Sequence, residues 1–217
     1  MVWDRYYLAM PRKREIGART VADLVAQLGR IAYGEGFAKG LTPAQWTAFR
    51  YFSRANRFSR TVSAFAEFHA TTRGTASQTV KGLVAQGYLT RTRSEADGRS
   101  ARLDLTDKAL AILTDDPFEA LVRAAGASPP GARGQFVRGL ERMLGRLAQE
   151  RSKRPFGTCP SCEHFVRDER CRKGKSAYRC GFVQAPLDEA ELGQLCINFG
   201  PSQGSAMRRA FSGGDPR

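Results

Sequence analysis

The hydrophobic period of this chain changes at Gly87, and that change limits the folds open to it. Before it, Val62, Phe65, Ala66 and Phe68 recur at helical spacing over residues 61–69, and Ala76, Val80, Leu83 and Val84 do so over 73–86. After it, YLTRTR and SARLDL read as two strands. The second alternates Ala101, Leu103 and Leu105 against Arg102 and Asp104, and Asp97-Gly98 between the strands is a hairpin signal. Two short helices joined by a tight turn, then a two-stranded hairpin, predict a mainly α chain with a small β-wing.

The flanks are helical. Val21, Leu24, Val25, Leu28 and Ile31 predict an amphipathic helix over 17–33 that the glycines of GEG stop. In LTPAQW, Thr42 is a cap, Pro43 suits the first helical position, and Gln45 completes a capping box. Trp46, Phe49 and Phe52 then form a buried side, with Arg50, Arg54 and Arg57 elsewhere on the circumference. Gly82, inside the second short helix, costs about 1 kcal/mol relative to alanine, which a close helix crossing would explain. Beyond the hairpin, Thr106 caps a helix bearing Leu110 and Leu113, and Asp116-Pro117 kinks or restarts it before Phe118, Leu121 and Val122. After the break GASPPGARG comes a long helix with Phe136, Leu140, Met143, Leu144 and Leu147 on one stripe. Little chain remains to cover that stripe, so a partner subunit is expected.

The net charge of +14 favours a polyanionic partner. Between Arg50 and Arg102 stand ten basic residues (Arg50, Arg54, Arg57, Arg60, Arg73, Lys81, Arg91, Arg93, Arg99, Arg102) against three acidic ones (Glu67, Glu95, Asp97). That surplus of seven is half of the whole chain's. The second short helix carries Thr72, Arg73, Thr75, Ser77, Gln78 and Lys81 outward, a surface of hydroxyls, amide and cations suited to a major groove. Arg91, Arg93, Arg99 and Arg102 on the hairpin can reach a phosphate backbone or a minor groove. No apolar run approaches the ~18 residues of a membrane span, and the amino terminus lacks the apolar core of a secretory signal. A cytoplasmic protein without membrane contact is expected.

The run from Leu41 to Leu113, and ADGRSARLDLT at 96–106 in particular, resembles the winged helix-turn-helix of MarR-family transcriptional regulators. The resemblance implies a homodimer whose flanking helices intertwine, with two winged domains set on successive turns of a palindromic double-stranded DNA operator. Thr72, Arg73, Thr75, Ser77, Gln78 and Lys81 would then belong to the recognition helix, and Arg91, Arg93, Asp97, Arg99 and Arg102 to the wing. Asp97 would repel phosphate, so its expected role is to pair with Arg99 or another local arginine. The expected organisation is an N-terminal dimerisation region (1–40), the winged domain (41–115), C-terminal dimerisation helices (116–155), a cysteine-rich module (156–200) and a polar, basic, disordered tail (201–217).

That module departs from the family pattern. All five cysteines fall between 159 and 196, in the order Cys159-x2-Cys162-x8-Cys171-x8-Cys180-x15-Cys196. Disulfides are disfavoured in a reducing cytoplasm, so metal ligation leads. A Cys-x-x-Cys pair brings two thiolates together, and later cysteines close the site. Zinc modules usually offer two such pairs and this chain has one, which places an iron-sulfur cluster ahead of zinc. Phe165, Tyr178, Phe182 and Phe199 accompany Cys162, Cys180 and Cys196, and apolar rings around thiolates exclude water. The expected ligands are Cys159, Cys162, Cys180 and Cys196. Cys171, beside Arg170, Arg172 and Lys173, is an alternative ligand or a reactive thiol. His164 is read as a neighbour of the ligands more than a ligand, and His69 as a turn residue.

The sequence thus points to a DNA-binding regulator, not an enzyme, whose cysteine cluster senses redox state, oxygen or iron. Two rivals stand beside it. One is the same regulator with a structural zinc and a small-molecule effector; the other is an iron-sulfur or thiol enzyme with a winged interaction domain. The chain shows no phosphate-binding glycine loop, no nucleophile elbow and only two histidines, which weighs against the last.

Overall fold

The computed structural model describes residues 17–34, 39–93, 101–167 and 176–203. The chain opens with α1 (Ala18–Gly34), followed by α2 (Pro43–Arg54), α3 (Val62–Phe68) and α4 (Arg73–Ala85). Threonine starts each of the last three. Thr42 Oγ1 accepts the Gln45 N–H at 3.3 Å while Gln45 Oε1 accepts the Thr42 N–H at 2.8 Å, which is the predicted capping box. Thr61 and Thr72 likewise accept N–H groups three residues on, both at 3.1 Å. Each such cap stabilises its helix by about 1 kcal/mol.

The core is built around α2. Trp46, Phe49 and Phe52 are fully buried as predicted, and Ala48 and Tyr51 join them on the flank. Phe65 and Ala66 of α3 and Ala76, Val80 and Leu83 of α4 close over these rings. Phe52 and Phe65 lie 5.5 Å apart between ring centroids, and Phe49 meets Tyr88 edge-on at 5.2 Å. Burying Tyr51 is possible because its hydroxyl donates to the Ser59 carbonyl at 2.8 Å. Phe68, expected inward, instead sits on the rim against Phe156.

Gly87 sets the angle between α4 and the wing. It takes φ +73°, its N–H donates to the Val84 carbonyl at 3.0 Å, and the Tyr88 N–H reaches back to the Leu83 carbonyl at 2.9 Å. Those two bonds are the Schellman ending, in which a left-handed residue satisfies the last helical carbonyls. The wing strands β1 (Leu89–Arg93) and β2 (Ala101–Leu105) pair antiparallel with Arg91 opposite Leu103, and Leu89 and Leu103 are the buried pins beneath them. The hairpin turn at Asp97-Gly98 lies outside the described residues. Thr106 ties the base of the wing by donating its hydroxyl to the Gly87 carbonyl, then caps α5 (Asp107–Leu113).

Asp116 restarts the chain as predicted: its carboxylate accepts the Phe118 N–H at 2.9 Å, leading into α6 (Glu119–Gly126). After Pro129 comes α7 (Pro130–Glu150). Most of the large apolar residues of α1, α6 and α7 stay uncovered. Leu24, Leu28 and Ile31 of α1, Val122 of α6, and Phe136, Val137, Leu144 and Leu147 of α7 are all exposed. Among the described residues, no helix is long and apolar enough to cross a membrane.

The C-terminal segment folds back onto the winged region. Strands β3 (Phe165–Arg167), β4 (Tyr178–Cys180) and β5 (Ala185–Leu187) form an antiparallel sheet in that order. The Leu195 N–H donates to the Arg54 carbonyl at 2.7 Å, and the Asn56 N–H to the Leu195 carbonyl at 2.9 Å. Arg57 reaches Glu191 and the Pro186 carbonyl.

Gly82 departs from its expected reason. A side-chain carbon there would meet only Gln45 Nε2, at an ordinary 3.7 Å, so no close crossing requires glycine. Gly82→Ala is expected to raise stability by about 0.5–1 kcal/mol through helix propensity. Gly87→Ala, at positive φ, is expected to lower it by about 1 kcal/mol. Urea unfolding of the two variants checks both signs.

Candidate nucleic-acid interface and thiol cavity

Helix α4 presents Arg73, Thr75, Gln78 and Lys81 to solvent, with Ser77 half-buried beside them. Thr72 is the N-cap, and its hydroxyl lies 2.9 Å from that of Thr75, so both hydroxyls are tied to the helix start. On the wing, Arg91 is exposed. Arg93 stands in β1 opposite Ala101. Arg99 and Asp97, with the pairing expected between them, lie outside the described residues.

The basic surplus of this region is smaller in space than in sequence. Arg50 grips Asp116 through Nε at 2.8 and 3.0 Å and through Nη2. Arg57 pairs with Glu191, and Arg60 and Arg102 both hold Asp104 at 2.8 Å. Four of the ten basic residues are therefore structural. The cations left on the outer face of the two reading elements, Arg73, Lys81 and Arg91, are exposed.

Asp104 is the node of the wing's ion pairs. Burial pushes its carboxyl up, but hydrogen bonds and charge from Arg102 and Arg60 outweigh this and hold it below the ordinary carboxylate range.

The second site lies where the C-terminal segment meets the turn after α2. Cys159, Cys162, Cys180 and Cys196 line one small cavity together with Asn56, Phe58, His164, Phe165, Leu187 and Asn198. Three different pieces of chain deliver the thiols. Cys159 opens the 3-10 turn Cys159–Ser161, and the Cys162 N–H closes that turn on the Cys159 carbonyl at 2.9 Å. Cys180 ends β4 opposite Phe165, and Cys196 is bridged to Gly157 through its N–H at 2.9 Å. Gly157 is required there, because a side-chain carbon would lie 2.6 Å from the Phe199 ring. Cys171 lies outside the described residues.

Cys159 and Cys196 are buried, and Cys162 and Cys180 half-buried. Burial, then the neighbouring thiols Cys196, Cys162 and Cys180, push the Cys159 thiol up to about 11. Cys196 is also raised by burial, against hydrogen bonds from the Asn56 side chain and the Asn198 N–H. The cavity has room for one water-sized sphere, about 10 Å³. Among the described residues, no group of three or more histidine, cysteine, aspartate and glutamate side chains is arranged to hold a metal ion. The predicted aromatic shield is half right: Phe165 lines the cavity and Phe199 is buried beside it, whereas Phe182 is exposed and packs on His164.

A larger cavity of about 560 Å³ opens between α1, α2, α3 and α6, lined among others by Tyr33, Arg50, Phe68, His69, Phe118 and Leu121. His69 ends α3 with its Nε2 buried and without a hydrogen-bond partner, and burial lowers its pKa to about 4. Sequence reasoning missed Asn56 and Ser59, because in SRANRFSR they look like ordinary turn residues.

Helices α2 to α4 with the β1–β2 hairpin define a winged helix-turn-helix domain. Residues 39–100 match the sequence model of the MarR family. A MarR transcriptional regulator from Methanosarcina mazei Go1 superposes with a TM-score of 0.50 at 21% identity, over 61% of this chain and 99% of that one. The MepR–DNA complex of S. aureus gives 0.51 at 15% identity, over 62% and 99%. A MarR/EmrR family regulator from Acinetobacter sp. ADP1 gives 0.51 at 15%, over 63% and 99%. These likenesses show the fold, and the remainder of this chain has no counterpart in those molecules. No curated protein matches the chain.

A carboxyl held low contributes stability above its unfolded value of about 3.9 and loses it as pH falls through the folded value. Asp104→Asn is therefore expected to cost about 1 kcal/mol at neutral pH, after discounting for partial exposure. The gap to the unaltered protein should close as pH is taken below the ordinary carboxylate value. Denaturant midpoints measured across pH check the sign.

Proposed function

We propose that this protein is a sequence-specific DNA-binding transcriptional regulator that works as a homodimer and responds to the state of an iron-sulfur cluster held by its C-terminal cysteines. One observation carries the DNA reading. A helix with Arg73, Gln78 and Lys81 outward is locked by the Gly87 ending to a hairpin with Arg91 outward. Gln78 offers an amide to a base edge, and Arg73, Lys81 and Arg91 neutralise phosphates. That S. aureus MepR was solved with DNA supports the assignment. The uncovered apolar stripes of α1, α6 and α7 support the dimer, since contiguous exposed faces of this kind mark interaction surfaces. Two such winged domains related by a twofold axis fit a palindromic operator.

Cys159, Cys162, Cys180 and Cys196 would hold the cluster, with Phe165 and Phe199 excluding water. A bound cluster would supply a group sensitive to oxygen, redox state or iron supply. The module follows α7, so a change at the thiols can also alter how two protomers meet.

A second reading has a structural zinc and a small-molecule effector, and the 560 Å³ cavity beside α1 favours it. Its lining is largely apolar, with Arg50, Arg54, His69 and four threonines as polar points, the usual make-up of a ligand pocket.

Selection from random duplexes should enrich an operator with two-fold symmetry. On that operator Gln78→Ala is expected to cost about 1–3 kcal/mol and relax specificity. Lys81→Ala and Arg91→Ala should each reduce the salt slope by about 1. Failure to enrich any sequence overturns the DNA reading. Anaerobically purified protein should be brown and contain iron and sulfide. Serine at Cys159, Cys162, Cys180 or Cys196 should abolish the colour, and Cys171→Ser should leave it. Colourless protein with zinc decides for the second reading.

A further inference from the structure

The two cavities of this molecule share a partition. Leu195 lines the large one and Cys196 the small one. Both residues stand in isolated β-bridges, Leu195 parallel to Ala55 and Cys196 antiparallel to Gly157. Extended pairing sends successive side chains to opposite faces, so two neighbouring residues can face two different spaces. Ile197 keeps the alternation by packing against the core of the winged region. Backbone groups hold the partition in place. The Leu195 N–H donates to the Arg54 carbonyl at 2.7 Å, the Asn56 N–H to the Leu195 carbonyl at 2.9 Å, and the Ile197 N–H to Ser59 Oγ at 2.8 Å.

The C-terminal segment reaches the large cavity a second time. Phe68, one of the lining rings, is held from behind by Phe156, which meets it edge-on at 5.0 Å between centroids. The other apolar walls are Tyr33 of α1, Phe65 of α3, and Phe118 and Leu121 at the start of α6. The basic side chains of the lining leave no charge inside to be met. Arg50 is taken by Asp116, Arg54 is exposed to water, and burial holds His69 neutral at ordinary pH. A space of about 560 Å³ walled by rings, with its charge already balanced, suits an uncharged ring-bearing molecule.

We infer that the C-terminal segment supplies one wall of the large cavity through Leu195, and that an uncharged ring-bearing molecule bound there fastens the segment, Cys196 included, to the winged region. The inference rests on the reading that this cavity takes a small molecule. It adds a residue that selects the ligand and a part of the chain that responds to it. A ligand that touches Leu195 binds the docked segment better than a displaced one, so it shifts the segment toward the docked state. That effect needs neither α7 nor a second protomer.

The test uses full-length protein and the probe N-phenyl-1-naphthylamine, an uncharged ring-bearing dye whose fluorescence rises in apolar surroundings. The unaltered protein should bind it, and Leu121→Trp, which fills the cavity from the α6 side, should abolish binding. Leu195→Ala should weaken binding about tenfold by deleting wall contacts. Hydrogen exchange then reads the segment. At saturating probe the Leu195 and Asn56 amides should exchange about tenfold more slowly, a coupling of common size. The Leu103 amide, which donates to the Arg60 carbonyl, is the reference, since a ligand that only stabilised the whole fold would slow it equally. No binding by the unaltered protein, or binding that Leu121→Trp leaves intact, overturns the small-molecule reading and this inference with it. Binding that Leu121→Trp abolishes, combined with equal slowing of all three amides or an affinity within about twofold in Leu195→Ala, overturns this inference and leaves the cavity reading standing. Should Leu195→Ala fail to fold, the exchange pattern of the unaltered protein decides.

Discussion

The turn between α2 and α3 has to satisfy three neighbours at once, and the arrangement of the whole chain follows from how it does so. A buried turn cannot leave its peptide groups to water, so each must find a partner. Ala55 gives its N–H to the Tyr51 carbonyl and its carbonyl to Arg60; Asn56 gives its N–H to Leu195; Ser59 gives its carbonyl to the Tyr51 hydroxyl; Arg60 gives its carbonyl to Leu103. Those partners come from the core helix, the wing and the C-terminal segment. The reading helix is fixed relative to the same frame through α3 and through the Gly87 ending, which aligns α4 with β1.

What could be read from the sequence was local. Thr42 and Thr106 cap as expected because the groups they satisfy lie three residues away, and the buried faces of α2 and α4 follow from helical spacing. The two strands followed from alternation, and the restart at Asp116 from a carboxylate two residues before the N–H it accepts. What could not be read depends on residues far along the chain. Arg50 finds Asp116 66 positions away, and Arg57 finds Glu191 134 positions away. No periodicity carries that information, so a count of charges overstated the basic surface. Tyr51 was not among the residues expected on the buried side of α2, yet the Ser59 carbonyl makes its burial cheap.

The cysteines show both limits together. Aromatic company picked out Cys159, Cys162, Cys180 and Cys196, and the fold brings those four to one cavity from the two ends of a 3-10 turn, a strand end and a bridge. The same criterion misplaced Phe182. Nearness in sequence to Cys180 does not survive the turn after β4, which points that ring outward. Asn56 was invisible for the opposite reason, since it stands more than a hundred positions before the thiols whose cavity it walls.

Leu195 sits between Arg54 and Asn56 like one rung of a parallel ladder, and this makes the cysteine segment a part of the winged fold's own framework. A chain cut after α7 would not be a plain short form of the same domain. It would bare the Phe68 ring, strand two backbone groups at the end of α2 and open Asn56 and Ser59 to solvent. The segment and the α2–α3 connection complete one another's hydrogen bonds, so neither is whole without the other.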